Sequence, residues 1–215
     1  MTIQEMHAVF RTLGQQMGMQ TIRAIIPESI DIYINDAIIE KVRTELYTST
    51  QSSTTLNSDV QASRMANINA LGTLYSKCDL ITTDEEDIQH SFDCSLKTDI
   101  MMIFAISIGY DNGKSVACRL LGSDVLETTL NDYCNSASKD YPIACIIGNA
   151  IDIFTGDKVK ISNANIKYIK NPAVVDFNKR VNCDLPQYLH YEIVENAVRK
   201  FYMSVSNSIP QQQKD

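Results

Sequence analysis

The sequence predicts an α+β fold: N-terminal helices, a central antiparallel β unit with an inserted helix, and a C-terminal helix. Three observations predict it. Apolar residues recur at helical spacing near both ends of the chain, at Ile30, Ile34, Ala37, Ile38, Val42 and Leu46 and again from Leu189 to Val205. The longest apolar run, "IMMIFAISIGY", is followed by the left-handed turn signal "DNGK" and then by "SVACRLL", which together read as a hairpin. The strand-like stretches cluster in the middle and do not alternate with helices, which argues against a doubly wound sheet.

Each element follows from local chemistry. Thr2 with Glu5 three residues later forms a capping-box pattern and starts a short helix, with Met6, Val9, Phe10 and Leu13 on one face. Gly14 and Gly18 are expected to loosen its end. Pro27 suits the first turn of the next helix, and Glu28 suits the positive end of its dipole. The Ser/Thr/Gln-rich segment Thr48 to Ser63 is too polar to hold itself together, and it is expected to be mobile until a partner orders it. A weaker helix is expected from Val60 to Ser76. The acidic run Asp84 to Asp87 in "TTDEEDIQH" reads as a solvated loop, since its spacing matches no calcium loop. Ser123 is placed to cap a helix from Asp124 to about Cys134. "YPIACIIG", "AIDIFTGD" and "KVKISNANIKYIKNP" read as strands joined by turns at Gly148-Asn149 and Gly156-Asp157, with Pro172 stopping the last. The expected division is residues 1–80, a helical region with its polar loop near 48–63, and residues 81–215, the β unit with the inserted and C-terminal helices, in one continuous fold.

Composition narrows the function. With 44% apolar and 21% charged residues the chain is an ordinary globular sequence. A net charge of -7 argues against general affinity for nucleic acid, which needs a basic surface. The local exception is a thin scatter of Lys158, Lys160, Lys167, Lys170, Lys179 and Arg180. The N-terminus has neither the basic region nor the apolar core of a signal peptide, and no run of about 18 apolar residues exists, so no membrane anchor is expected. Cys78, Cys94, Cys118, Cys134, Cys145 and Cys183 are widely spaced, with no CxxC or CxH pair. They read as free thiols of a protein made in a reducing cytoplasm, and not as zinc ligands.

The motifs that could carry chemistry are incomplete. His190, Glu192 and Glu195 resemble part of a metalloprotease helix, but Val194 stands where the second histidine one turn on is needed. The H-x-E of a zinc deaminase lacks its PCxxC partner. Gly113-Lys114-Ser115 is the end of a P-loop pattern, yet Gly109 lies four residues before Gly113 where five are required, and a strand follows instead of a helix. There is no GxSxG elbow and no GxGxxG. His7 and His90 are isolated, and Asp152 and Asp157 flank a turn. The expectation is therefore no catalytic residue, no cofactor and no metal.

The C-terminal helix has a different message. At about 100° per residue, Leu189, Ile193, Val194, Ala197, Val198, Phe201, Tyr202 and Val205 spread over well more than half its circumference. Glu192, Glu195 and Arg199 fill the rest, and His190 falls inside the apolar arc. One subunit's edge needs only a narrower stripe. The reading is a helix that packs on two sides: Ile193, Ala197 and Phe201 toward its own core, with Val194, Val198 and Val205 toward a second surface. The six together form the expected oligomer interface.

Two stretches in this region, "NANIKYIKNPAVVDF" and "CDLPQYLHYEIVENAVRKFYMSV", resemble the C-terminal part of virion proteins of tailed phages. There a final strand ends at a Tyr-Ile-Lys-x-Pro element and a Leu-Pro-x-x-Leu-His-x-x-Ile-Val-x-x-Ala helix follows. The match, over roughly the last third of the chain, is similar to ring or head-to-tail connector proteins of crAss-like podoviruses. The resemblance implies a structural protein of the head–tail junction with no catalytic residues. It implies a homo-oligomeric cylinder of about twelve subunits between the portal protein and other ring or tail proteins. Genomic DNA would pass through its channel without specific binding, and the acidic balance suits that. Alternatives are another virion part, such as a tail hub or cargo protein, and a small cytoplasmic hydrolase with a site assembled from scattered residues.

Overall fold

A computed structural model describes residues 1–19, 22, 24–51, 69–80, 87–93, 99–111, 113–148 and 150–207. The fold is α+β, with helices at the N-terminus, two four-stranded sheets and a C-terminal helix. It divides into two compact units, residues 1–74 with 172–215, and residues 75–171. The boundary expected after residue 80 with a continuous C-terminal half is thus replaced. The C-terminal helix belongs with the N-terminal helices, because its apolar faces pack on them.

The helical unit holds α1 (Ile3–Gln16), α2 (Pro27–Gln51) and the C-terminal helix. The capping box at Thr2 is complete: the Thr2 hydroxyl accepts from the Glu5 N–H at 3.3 Å, and the Glu5 carboxylate accepts from the Thr2 N–H at 2.8 Å. Gly14 does not loosen α1. It lies inside the helix where a Cβ would sit 1.6 Å from the Ile22 Cδ1, so it is the point of closest approach of the following segment. On α2 the expected stripe Ile30, Ile34, Ala37, Ile38 and Val42 is buried, and Leu46 is half-buried. Of the expected helix Val60 to Ser76, residues 60–68 lie outside the described residues. Asn69 and Ala70 are helical, Gly72–Leu74 is a 3-10 turn, and Tyr75 and Ser76 already belong to a strand. Residues 52–63 of the polar segment lie outside the described residues too; its first four extend α2.

The β unit has strands β1 (Tyr75–Leu80), β2 (Asp87–Asp93), β3 (Ile100–Tyr110), β4 (Ser115–Ala117), β5 (Arg119–Leu121), β6 (Ile143–Ile147), β7 (Ala150–Val159) and β8 (Ile161–Lys170). The sheet orders are β1-β8-β3-β4 and β2-β7-β6-β5. Inward side chains of both sheets share one core, including Phe92, Ile106, Ile108, Ile151, Ile153, Ile161 and Ile166. Three expectations change here. "SVACRLL" is not one strand: Cys118 is a hinge whose N–H still bonds to Ile106 O in the first sheet, while Arg119 bonds to Pro142 O and joins the second. The unit is not wholly antiparallel, since β5 pairs with β6 in parallel. Gly156-Asp157 is not a turn; β7 runs on to Val159, and the register of β2 against β7 shifts there. Gly156 has φ +72°, and a Cβ on it would sit 2.1 Å from Ala137 O, so only glycine fits this irregularity.

The inserted helix α3 spans Ser123–Leu130. Its N-cap is Gly122 with no side-chain cap bond, not Ser123, and it ends four residues before Cys134. Leu126 packs on Ile143 and Cys145, on the sheet face away from the shared core. The long loop that follows is held at several points: Arg119 donates to Asn135 O at 2.6 Å, Tyr110 donates to Lys139 O at 2.8 Å, and Lys114 pairs with Asp140. The C-terminal helix, α4 (His190–Asn207), follows a 3-10 turn at Gln187–Leu189.

Candidate functional site

The residues expected to form an oligomer interface are the subunit's own core. Ile193, Val194 and Ala197 are fully buried, Val198 is 1% exposed, and Phe201 is 9% exposed. Only Val205 is half-exposed. The wide apolar arc of α4 is used by two neighbours within the chain, since the helix packs on both α1 and α2. Phe201 meets the rings of Phe10 at 6.0 Å and Tyr33 at 5.4 Å. Periodicity reported correctly that α4 is covered on two sides, but not that both covers lie in the same chain.

Two lysines fix α4 to α2 in an antiparallel sense. Lys41 on α2 pairs with Glu192 at 2.7 Å and with Glu45 at 2.9 Å. Lys200 on α4 pairs with Asp36 and with Glu40 at 2.7 Å. Burial pulls both ammonium groups down, but the carboxylates outweigh it and leave both above the ordinary lysine value. His190 is buried, and its Nε2 lies 2.8 Å from Leu185 O, in the segment before the helix begins. The ion pair of Glu195 with Arg199 forms as the spacing of four predicts.

The structure also builds a site that the sequence did not reveal. The strap between β8 and α4, near residues 174–183, lies against α2, and an Asp176–Val181 bridge pairs part of its own backbone. Side chains of α2 at spacings of three and four meet other groups of it. Asn35 faces Val175 in both directions, accepting from its N–H at 2.8 Å and donating to its C=O at 3.0 Å. Asp31 accepts from the Phe177 N–H at 3.0 Å and pairs with His7 Nε2 at 2.7 Å. Glu28 accepts from the Asn178 amide at 2.8 Å. His7 stacks on the Phe177 ring at 4.6 Å. Further along, Asn182 accepts the Ile3 N–H at 2.8 Å, which satisfies one of the unpaired donors at the start of α1. Both His7 and Asp31 are buried. His7, Asp31 and the strap are thus one clip joining three segments remote in sequence. With both side chains buried, the pair ties α1 and α2 to the strap. The i, i+3, i+7 polar spacing of Glu28, Asp31 and Asn35 was the one available signal, and the strong apolar stripe beside it masked it.

Burial pushes the Cys118 thiol up to about 12 and raises Cys145 and Cys183 as well, so none is a poised nucleophile. Burial also pushes the Tyr110 phenol up to about 12, where its O–H serves as the donor to Lys139. The five described cysteines, Cys78, Cys118, Cys134, Cys145 and Cys183, are free; Cys94 lies outside the described residues. Among the described residues no three His, Cys, Asp or Glu side chains gather as a metal site. No described helix is long and apolar enough to cross a membrane. Gly113 takes φ +77° in the turn between β3 and β4, so the Gly-Lys-Ser run lies in a hairpin. His90 reaches Asp87 O at 2.9 Å, and Asp152 accepts from the Ser91 hydroxyl. No protein-family model matches the chain, and no curated protein matches it.

Proposed function

We propose that this chain is a non-enzymatic virion protein, a subunit of a connector ring joining the portal to the tail of a tailed phage. The observation that carries the reading is the resemblance of residues 163–177 and 183–205 to the strand-then-helix element of such proteins. Within the subunit that element runs from β8 through the strap into α4, and it supplies much of the helical unit's packing. The ring contacts then fall on surfaces other than the buried face of α4. Ile32 and Ile39, two turns apart on the solvent side of α2, are 67% and 38% exposed and offer such a surface. A ring needs two different faces that meet side to side, so the matching face lies elsewhere on the subunit.

The test is composition and mass. Purified particles should contain on the order of a dozen copies of the chain, and native mass measurement of the assembled complex should give the same stoichiometry. Ile32→Asp should leave the subunit's circular dichroism unchanged and lower the fraction assembled. Absence of the chain from purified particles would overturn the reading.

A further inference from the structure

We infer that the outer face of the first sheet is a small platform for single-stranded nucleic acid, with Lys77 and Lys167 holding phosphate and Phe104 stacking a base. Lys167, one of the scattered basic residues, lies on β8 directly opposite Lys77 on β1. Like charges in direct cross-strand opposition repel, and the fold offsets only one of the two. Among the described residues Lys77 pairs with Asp79 at 3.8 Å, and Lys167 has no ion-pair partner. An anion lying between the two ammonium groups removes that repulsion. On its other side Lys167 faces Ala105, whose small side chain leaves the floor open. The register of β3 slips between Ile103 and Ala105, so Phe104 is the extra residue of a bulge, 41% exposed. Its ring meets Tyr75 edge-on at 5.2 Å across the intervening strand. Tyr75, Ser76, Lys77, Phe104 and Lys167 line an open cavity of about 300 Å³.

The chemistry selects the occupant. Lysine is a point charge suited to phosphate, whereas a planar carboxylate is better matched by the arginine fork, and no arginine lines the cavity. Exposed aromatic faces beside lysines on a sheet are the means by which unpaired bases are held without sequence readout. A duplex hides its base faces and fills the site poorly. Net charge of the chain keeps the binding weak and local. This inference stands apart from the ring reading and survives its failure.

Anisotropy of a labelled dT12 with the full chain tests it. With two phosphates neutralised, the logarithm of affinity should fall with that of salt at a slope of about -1.4, or about sevenfold between 50 and 200 mM. Lys77→Gln with Lys167→Gln should abolish that dependence. Phe104→Leu should weaken binding about 5- to 150-fold with the salt slope unchanged. Both variants alter exposed side chains, and Lys77→Gln alone, with the slope halved, serves if the double variant does not fold. No binding at 50 mM salt, unchanged binding in the lysine variants, or equal competition by duplex or polyglutamate would each overturn the proposal.

Discussion

The two units bury polar groups for different purposes. Among the described residues of the β unit the buried polar side chains are His90 and Thr155, and both bond to backbone nearby: His90 to Asp87 O, Thr155 to Ile88 O and Asp157 O. Sheet register there follows from alternation, and these groups only complete a local ladder. In the helical unit His190 likewise reaches a nearby carbonyl, Leu185 O, but His7 and Asp31 meet from different helices and hold a strap some 146 positions from Asp31 in sequence. The difference lies in the backbone. A strand's N–H and C=O groups are met by its neighbour, whereas the strap lying on a helix, beyond its own Asp176–Val181 bridge, finds partners in side chains. The helical unit therefore depends on specific polar contacts as well as on burial.

The largest effect comes from the face once assigned to a neighbour. Val198→Asp places an unpaired carboxylate at a position 1% exposed and should cost more than about 4 kcal/mol. Hydrogen exchange should then rise across α1, α2 and α4. If β3, β7 and β8 lose protection equally, the units form one cooperative block and the contrast between them fails. If stability is unchanged and only assembly suffers, α4 is an interface after all.

A matched pair of cavities sharpens the comparison. Phe201→Ala should cost about 3 kcal/mol and Ile153→Ala about 2–5 kcal/mol, since transfer and cavity terms add. Denaturation followed by exchange should assign the first loss to the helical unit and the second to the β unit. Equal patterns from both would again mean a single block.

The legibility of the sequence follows the same division. Stripes such as Ile30 to Val42 announced α2, and the Thr2–Glu5 box announced α1, because local periodicity and capping need no distant partner. The strand β3 was plain for the same reason. β1 was hidden because "YSKCDL" has little β-branched character and its pairing with β8 supplies the order. β2 was hidden behind the acidic run, with alternate residues facing water. The strap clip was unreadable in principle: Asn35 and Val175 are each ordinary, and only the fold brings them together. For α4 the width of the apolar arc was right, and the identity of what covers it could not be read from one helix.

Removing a clip gives a smaller loss. Asn35→Ala leaves the Val175 N–H and C=O without their partner and should cost about 1–3 kcal/mol. Exchange at Val175 and Phe177 should rise more than exchange in the middle of α2. A uniform rise through the unit would mean that the strap has no stability of its own to lose.

The smallest effect is in acid. The Asp176 carboxylate accepts from the Lys179 N–H and pairs with its ammonium, and it lies below the ordinary carboxylate value. Glu28 lies below it too, held down by its own N–H and by the Asn178 amide against the opposing charge of Asp176. A carboxyl depressed in the folded state stabilises above its unfolded value, and that contribution is lost as pH falls through the folded one. The strap should therefore loosen only below about pH 4, the ordinary carboxylate range. The β unit has its own depressed carboxylates, Asp140 beside Lys114 and Asp132 beside Asn135, both in the anchored loop after α3. Acid should thus open the strap and that loop before either core. Asp176→Asn should flatten the strap's response and leave the loop's intact, because the two sets of carboxylates share no partner. Exchange measured residue by residue from pH 6 to pH 3 reads both at once. A variant that shifted the two responses together would show that the strap and the loop are linked through contacts these carboxylates do not make.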